Sequence, residues 1–247
     1  MVIDHRKKLY LGFSKSMELE LEIVYEDEYI LAINKAAGLL VHRTKLARDA
    51  KEFALQILRD QVGYQVTPIH RLDRKTSGVL LFAKQQEFVH PFQLALQDDN
   101  TQKRYLAIVR GYFPDEITVD YPLINDSGKT QEALTQFRLI QRTEVPLPFG
   151  KFETSRYSLI EAFPRTGRMH QIRKHLNHLR HPIIGDRPHG CNKQNALFLK
   201  EFGLEKMLLH AESLRIWHPF LEKELVIKAG LSAHFLEMNE QLGLVEF

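Results

Sequence analysis

The chain has 247 residues, 44% hydrophobic and 26% charged, a balance that fits a folded globular protein and excludes a disordered one. A formal net charge of +3 is too small to identify a nucleic-acid partner by itself, and a single cysteine, Cys191, excludes an intramolecular disulfide framework. No apolar run is long enough to span a bilayer, and the N-terminus lacks the apolar core of a secretory signal, so a cytoplasmic protein without membrane contact is expected.

The first seventeen residues are polar and read as an N-terminal extension, leaving 18–247 as one domain. Leu19, Leu21 and Ile23 alternate with Glu18, Glu20 and Glu22, the period of a half-buried strand. Residues 29–34 predict a second strand, closed by a turn at Ala36-Ala37-Gly38. Phe53, Ile57 and Leu58 fall at helical spacing. Residues 78–84 form a short apolar run suited to a buried strand, and Phe88, Phe92, Ala95 and Leu96 then make one helical face. Further strands are predicted at 103–112, 134–141, 156–163, 207–217 and 224–227, with a helix at 169–180 that begins near Thr166-Gly167 and stops before Pro182. Many strands with few helices, and no regular βαβ alternation, predict an α+β domain: a mixed, mostly antiparallel sheet with flanking helices and loops. Two lobes around a central cleft fit the same pattern, with the halves meeting near residues 130–150, a Pro- and Gly-containing stretch.

The densest group of chemistry-bearing side chains is His70-Arg71-Leu72-Asp73-Arg74-Lys75-Thr76-Ser77-Gly78, at the start of the apolar run. It sets one carboxylate, Asp73, among three cations. Neighbouring cations favour the ionised form, and an ionised aspartate serves as nucleophile or base. A surface turn of solvated charges is the other reading of that composition. A second concentration lies at 165–185, which holds Arg165, Arg168, Arg173, Lys174 and Arg180 and no acidic residue. On charge alone it is a solvated helix face. His170, His175, His178 and His181 in the same stretch invite a metal reading, but the absence of acids and cysteines and the positive charge oppose one. No metal is expected; phosphate contact or core hydrogen bonding suits these histidines better. Cys191 has no flanking base motif and is expected to be an inert thiol.

These blocks occur in an order that resembles a known family. His70-Arg71-Leu72-Asp73 followed by Thr76-Ser77-Gly78 is similar to the signature of the pseudouridine synthases related to the bacterial ribosomal large-subunit synthase A. Glu26-Asp27-Glu28 with residues 34–42 resembles that family's opening block, and residues 103–111 resemble the block carrying its active-site tyrosine. Residues 166–173 with 181–186 resemble the block of its catalytic arginine, and Leu208-Leu209-His210-Ala211 with His218-Pro219 its closing block. The likeness runs from about residue 20 to 230. One departure is Ala36, where the family usually places a proline that would preset φ. Residues 150–157, and 185–190 continuing through 192–195, are most similar to a branch of the family that acts on tRNA, at uridine 65.

The resemblance implies a uridine-to-pseudouridine isomerase acting on structured RNA, tRNA first and ribosomal RNA as the alternative. It implies a monomer, and residues 18–247 as its catalytic domain, with no separate RNA-binding module in front. The reaction breaks the N1–C1′ bond, turns the uracil and joins C5 to C1′; nothing is oxidised, so no cofactor is demanded. By resemblance Asp73 is the catalytic aspartate, either attacking C1′ or removing a proton from C2′. Arg173 holds it in a salt bridge, and Tyr105 stacks on the uracil. A phenol with an ordinary pKa of about 10 is a poor base, so removal of the C5 proton needs an activated tyrosine or another carrier. The target base must leave its stack, and Arg71 is the residue expected to fill the vacated space. His70, Arg168 and Lys174 are expected to contact the RNA. Two rivals share these residues: a catalytically idle RNA-binding protein on the same fold, and a hydrolase that releases free uracil.

Overall fold

A computed structural model describes residues 20–42 and 52–244. The N-terminal extension, and Glu18 and Leu19 of the first predicted strand, lie outside the described residues. Strands β1 (Ile23–Glu26) and β2 (Ile30–Lys35) form a hairpin. The Asp27 carboxylate closes it by accepting the amides of Tyr29 and Ile30, each at 2.8 Å. Among the described residues, Glu20, Leu21 and Glu22 of the predicted alternation lie ahead of the strand, which begins at Ile23. The amide and carbonyl of Leu21 are taken by the side-chain amide of Gln61, at 2.8 and 3.0 Å, rather than by a strand.

Helix α1 (Ala54–Val62) and the short β3 (Thr67–Pro68) lead to β4 (Ser77–Ala83), whose seven residues are all buried. A continuous apolar run of that length marks a strand covered on both faces. Helix α2 (Gln86–Ala95) precedes β5 (Gln102–Arg110) and β6 (Glu116–Asp120). A small hairpin, β7 (Leu123–Ile124) with β8 (Thr130–Gln131), leads into β9 (Leu134–Val145) and β10 (Ser155–Pro164). Then come α3 (Gln171–His178), α4 (Asn192–Phe202), β11 (Leu209–His218), β12 (Lys223–Lys228) and α5 (Ala233–Gln241). Helices α4 and α5 and strands β3, β6, β7 and β8 were not predicted; the strands have five residues or fewer.

The principal sheet has ten strands in the order β1-β2-β4-β11-β5-β10-β9-β6, with β12 on β11 and β3 on β4. Every pairing in it is antiparallel except β4 with β11. This is the mixed, mostly antiparallel sheet that the sequence predicts. Both faces are covered. On one face Leu31, Ile33, Leu80 and Phe82 pack with Leu58 of α1, and Ala107, Val109 and Ile160 pack with Leu176 of α3. On the other, Ile30, Val79 and Leu81 pack with Phe92 of α2, and Leu106, Ile108 and Leu159 with Phe198 of α4 and Phe235 of α5. Tyr105 belongs to both clusters of the first face. The halves of the sheet therefore meet along β4, β11 and β5, and not near residues 130–150. That stretch holds β9, hydrogen-bonded on both edges to β10 and β6.

The β4–β11 contact is very close. Gly78 has φ +110 and pairs with Ala211, and a methyl group on it would overlap the Ala211 backbone. Only glycine meets both conditions. Gly78→Ala is expected to cost about 3 kcal/mol or more, from backbone strain plus overpacking. Urea unfolding of the variant against the parent measures this, and a loss below 1 kcal/mol would mean that the two strands part easily.

Candidate active site

Asp73 lies in the loop before β4, where the Thr76 amide donates to the Asp73 carbonyl at 3.1 Å. The loop is tied down on both sides. Lys35, fully buried at the end of β2, donates through Nζ to the carbonyls of Ala36, Leu39 and Arg74 at 3.0, 2.9 and 3.2 Å. Burial pulls the Lys35 ammonium down to about 7, against the opposing negative charge of Asp73. Gly38 and Arg74 add a reciprocal pair: the Gly38 amide donates to the Arg74 carbonyl at 2.8 Å, and Arg74 Nε donates to the Gly38 carbonyl at 3.0 Å. From the other side, His210 Nε2 donates to the Ala229 carbonyl at 3.1 Å, which leaves Nδ1 to accept the Ser77 hydroxyl at 2.8 Å. Opening, aspartate and closing blocks, far apart in sequence, thus fix one loop.

Arg173 comes from α3, whose start is held by a single buried side chain. Gln171 Oε1 accepts the Thr166 hydroxyl at 2.6 Å and the Arg168 amide at 3.0 Å. Its Nε2 donates to the Leu134 carbonyl at 3.0 Å and the Thr135 hydroxyl at 2.9 Å. The helix is shorter than predicted, because His170 (φ 57) and Arg180 (φ 62) are left-handed and bound it on each side. The expectation of a solvated basic face fails at Arg173, which is only 4% exposed. Its Nη1 donates to Asp73 Oδ2 at 2.9 Å. Its Nε and Nη2 donate, both at 2.7 Å, to the two oxygens of Asp186, itself fully buried. Burial opposes the guanidinium charge, but the two carboxylates outweigh it and raise the Arg173 pKa. Asp186 is fixed by its own loop: Asn195 donates to the Asp186 carbonyl at 2.7 Å and accepts the Gly185 amide at 2.9 Å.

A cavity of about 460 Å³ opens at this point, on the face where Tyr105 joins the two packing clusters. Asp73, Tyr105, Arg173, His70, Arg71 and Arg168 all line it, together with Lys103, Met169 and His170. Lys174 does not; its Nζ donates to the Ile124 carbonyl at 3.3 Å. Arg71 is exposed, whereas Asp73 retains 22% side-chain exposure. Arg168 Nε donates to the Glu132 carbonyl at 2.9 Å. Burial pushes the Tyr105 phenol well above its ordinary value, and the charge of Asp73 pushes it further. Both influences favour the neutral phenol. His70 is held down to about 4, by burial first and then by Lys103, and its Nε2 accepts the Leu81 amide at 3.2 Å.

The four histidines of the basic stretch have separate partners. His175 is fully buried, donating through Nε2 to the Tyr121 carbonyl at 3.0 Å and accepting the Thr135 hydroxyl at 3.0 Å. His178 stacks on Tyr121 with ring centroids 4.0 Å apart, and His181 Nδ1 donates to the Arg110 carbonyl at 2.8 Å. His170 meets His189, with 2.8 Å between Nδ1 and Nε2. Asp186, Lys35, Gln171 and His189 are site-building residues that residue-by-residue reasoning did not single out. For Asp186 a signal existed: a carboxylate directly after Gly185 at the end of the buried pair Ile183-Ile184 needs a buried cation, and few are available.

A carboxylate facing a cavity, fixed by a buried arginine and flanked by an aromatic ring, is equipment for nucleophilic or acid–base chemistry on a bound ligand. Comparison with known proteins gives the class. The family model described as RNA pseudouridylate synthase matches residues 29–178, which include Asp73, Tyr105 and Arg173. The chain belongs to this family and is an isomerase that makes pseudouridine in RNA. It is 47% identical to tRNA pseudouridine synthase C of Vibrio parahaemolyticus, covering 86% of this chain and 91% of that protein. It is 44% identical to tRNA pseudouridine synthase C of Vibrio cholerae, covering 92% and 97%. Among solved structures, Human RNA Pseudouridylate Synthase Domain Containing 4 superposes with a TM-score of 0.70 at 26% identity, covering 91% of this chain and 94% of that one.

Two outcomes follow from this geometry. Asp186→Asn leaves a buried guanidinium with one carboxylate instead of two, and is expected to lower stability by about 3 kcal/mol. Arg173→Met in the Asp186→Asn background should recover part of that loss in the same urea titration; a full additive loss would show that the two residues do not act as a pair. The second concerns pH. The unfolded chain carries His70 near its ordinary 6.5 and the folded chain near 4, so below 6.5 the unfolded state binds more protons. Stability therefore falls as pH drops from about 6.5 towards 4, and His70→Gln should flatten that slope in unfolding measured across the window.

Proposed function

We propose that this enzyme isomerises a uridine of tRNA, with uridine 65 as its target, in the cytoplasm and as a monomer. The tRNA reading is supported by the relatives, which carry the name tRNA pseudouridine synthase C at 40–47% identity over most of the chain. The position is supported by the resemblance of residues 150–157 and 185–195 to that branch. The observation that carries the chemistry is the Asp73 carboxylate, set at the cavity by a 2.9 Å bond from Arg173.

In this reading the target nucleotide leaves its stack and enters the cavity, at a cost of roughly a few kcal/mol that contacts with the protein offset. Arg71, exposed beside Asp73, occupies the space left in the RNA with its planar guanidinium. One Asp73 oxygen is bonded to Arg173 and the other is left to the ribose, for attack at C1′ or for proton removal at C2′. Arg173 orients the carboxylate and limits its rotation. Tyr105 stacks on the uracil, a role that a phenol with a raised pKa fills without ionising. Arg168 and Lys174 add positive charge for backbone phosphates, Arg168 at the cavity and Lys174 on the flank of α3.

The wild-type protein is expected to release tritium from tRNA labelled at uridine C5, and Asp73→Asn to release none. Mapping by carbodiimide should place the new pseudouridine at position 65 in RNA from cells that hold the gene and not in RNA from cells that lack it. A modified ribosomal site with an unmodified tRNA would overturn the substrate, free uracil as product would point to a hydrolase, and binding without tritium release to an idle protein. Arg168→Ala and Lys174→Ala should weaken tRNA binding and reduce its salt dependence while slowing single-turnover chemistry less. Unchanged affinity with slowed chemistry would remove both from the binding surface.

A further inference from the structure

We propose that Phe152, Lys151 and Arg110, with Tyr112 and Arg156 beside them, form a second RNA-binding surface that holds the tRNA away from the target uridine. The inference rests on the reading above that the substrate is tRNA, and adds where else the protein grips it. These residues stand at the opposite end of the sheet from the cavity. Lys103 and Tyr105 of β5 and Pro164 of β10 line the cavity, whereas Arg110 ends β5 and Arg156 lies at the start of β10. From Tyr105 to Arg110, and from Pro164 to Arg156, the strands cover roughly 17 and 26 Å at about 3.3 Å per residue.

The surface is built on the loop between β9 and β10, which is braced from within. Leu147 buries its side chain against the core, and its carbonyl accepts the Ser155 hydroxyl at 2.7 Å. Phe149 and Phe152 exchange amide-to-carbonyl bonds at 2.9 and 3.2 Å. On this fixed support the Phe152 ring stays 60% exposed, where it adds nothing to the core.

Every exposed or half-buried ring here carries a cation. The Lys151 ammonium is 5.5 Å from the centre of the Phe152 ring, the Arg110 guanidinium 5.3 Å from Phe149, and the Arg156 guanidinium 4.9 Å from Tyr112. Glu144 fixes the last pair. It accepts the Tyr112 hydroxyl at 2.7 Å, the Thr154 hydroxyl at 2.5 Å and Arg156 Nε at 3.1 Å. Among the described residues neither Lys151 nor Arg110 has a carboxylate partner, so both charges are left to a ligand. Rings that can stack on bases, set among cations that can take phosphates, suit RNA. A protein partner suits the surface less well, because lysine is depleted in the centre of protein–protein contacts.

Helix α3 joins this surface to the cavity. Its first turn brings Arg173 to Asp73, and the chain leaving its far end carries Arg180 and His181. The His181 ring lies against Gly111, and its Nδ1 bonds the Arg110 carbonyl at 2.8 Å. Residues 165–185 hold no acid, and Lys174, His178 and Arg180 are its accessible basic groups along the way. An RNA backbone that leaves the cavity along α3 therefore meets no negative side chain of this segment before it reaches Arg110.

The test compares binding of a full-length tRNA transcript with binding of a stem-loop that carries the same uridine in about four base pairs. At about 3.4 Å per pair, that stem is too short to span the roughly 17 Å from cavity to surface. Phe152→Ala should weaken tRNA binding roughly tenfold or more, the loss expected for one stacked base. Lys151→Ala should weaken it less and make its salt dependence shallower by about one unit of log–log slope. Both variants should change stem-loop affinity by less than about twofold. Both side chains are exposed, and the Phe152 backbone bonds that brace the loop survive either change. Equal losses on the two RNAs, or wild-type affinity for both, would overturn this surface and leave the tRNA reading intact. Unchanged tRNA affinity with altered sedimentation of Phe152→Ala would give the ring to a protein contact instead. A wild-type protein that converts no uridine in tRNA would overturn the tRNA reading itself.

Discussion

A guanidinium taken out of water forfeits several kcal/mol of hydration, and only anions placed at its N–H groups return it. Arg173 is in that position, 4% exposed, and two carboxylates answer it from different parts of the chain. Asp186 takes the two-pronged contact and is itself buried; Asp73 takes the remaining Nη1 and keeps one edge towards the cavity. The division matters. The fork to Asp186 sets the plane of the guanidinium, and that plane sets where Asp73 is pulled. An arginine bound to Asp73 alone would be free to swing with it, so the second carboxylate turns a charge contact into a fixed direction.

The rest of the architecture serves to bring these three side chains together. The Asp73 loop is anchored to β2 by Lys35 and to β11 by the pairing of Ser77 with His210. Helix α3 is anchored to β9 by Gln171, and Asp186 is anchored by Asn195 at the mouth of α4. These anchors are neutral hydrogen bonds or buried groups with complete sets of partners, the kind that hold position when a large charged ligand arrives. Tyr105, on the strand between the two clusters, needs no anchor beyond the sheet itself.

Much of this was legible in the chain, and what was not has identifiable causes. Period-two alternation and apolar runs gave β2, β4, β5, β9, β10, β11 and β12, because strands of six residues or more with at least one face packed on the core carry a strong signal. Strands of two residues carry none. Helix α4 escaped because only Gln194 and Phe198 are buried in it, too few to show a period. The N-terminal start of β1 was misplaced because Gln61, a distant side chain, captures the backbone of Leu21. At the site, Asp73, Tyr105 and Arg173 were reached through ordered blocks, yet nothing local announces that Arg173 is buried. Its helix is the most basic stretch of the protein, and composition points to water. Asp186 lies 13 residues from Arg173, and the loop that folds it back is set by glycines and an asparagine whose partners only three dimensions reveal.

The parallel contact at Gly78 bears on how such a chain is made. Strand β4 is the most apolar in the sheet, and its neighbour on one edge, β2, is synthesised shortly before it. Its other edge is shared: β3, already made, pairs with Phe82 and Ala83, whereas β11, which pairs with Ser77 and Gly78, begins at Leu209, more than a hundred residues later. Throughout that interval a nascent chain on the ribosome carries the Ser77–Gly78 end of that edge without its partner strand, and an unpaired strand edge recruits stray strands from other molecules. The last fifth of the protein must emerge before that end is closed, a demand that the topology, and not the catalytic centre, places on synthesis.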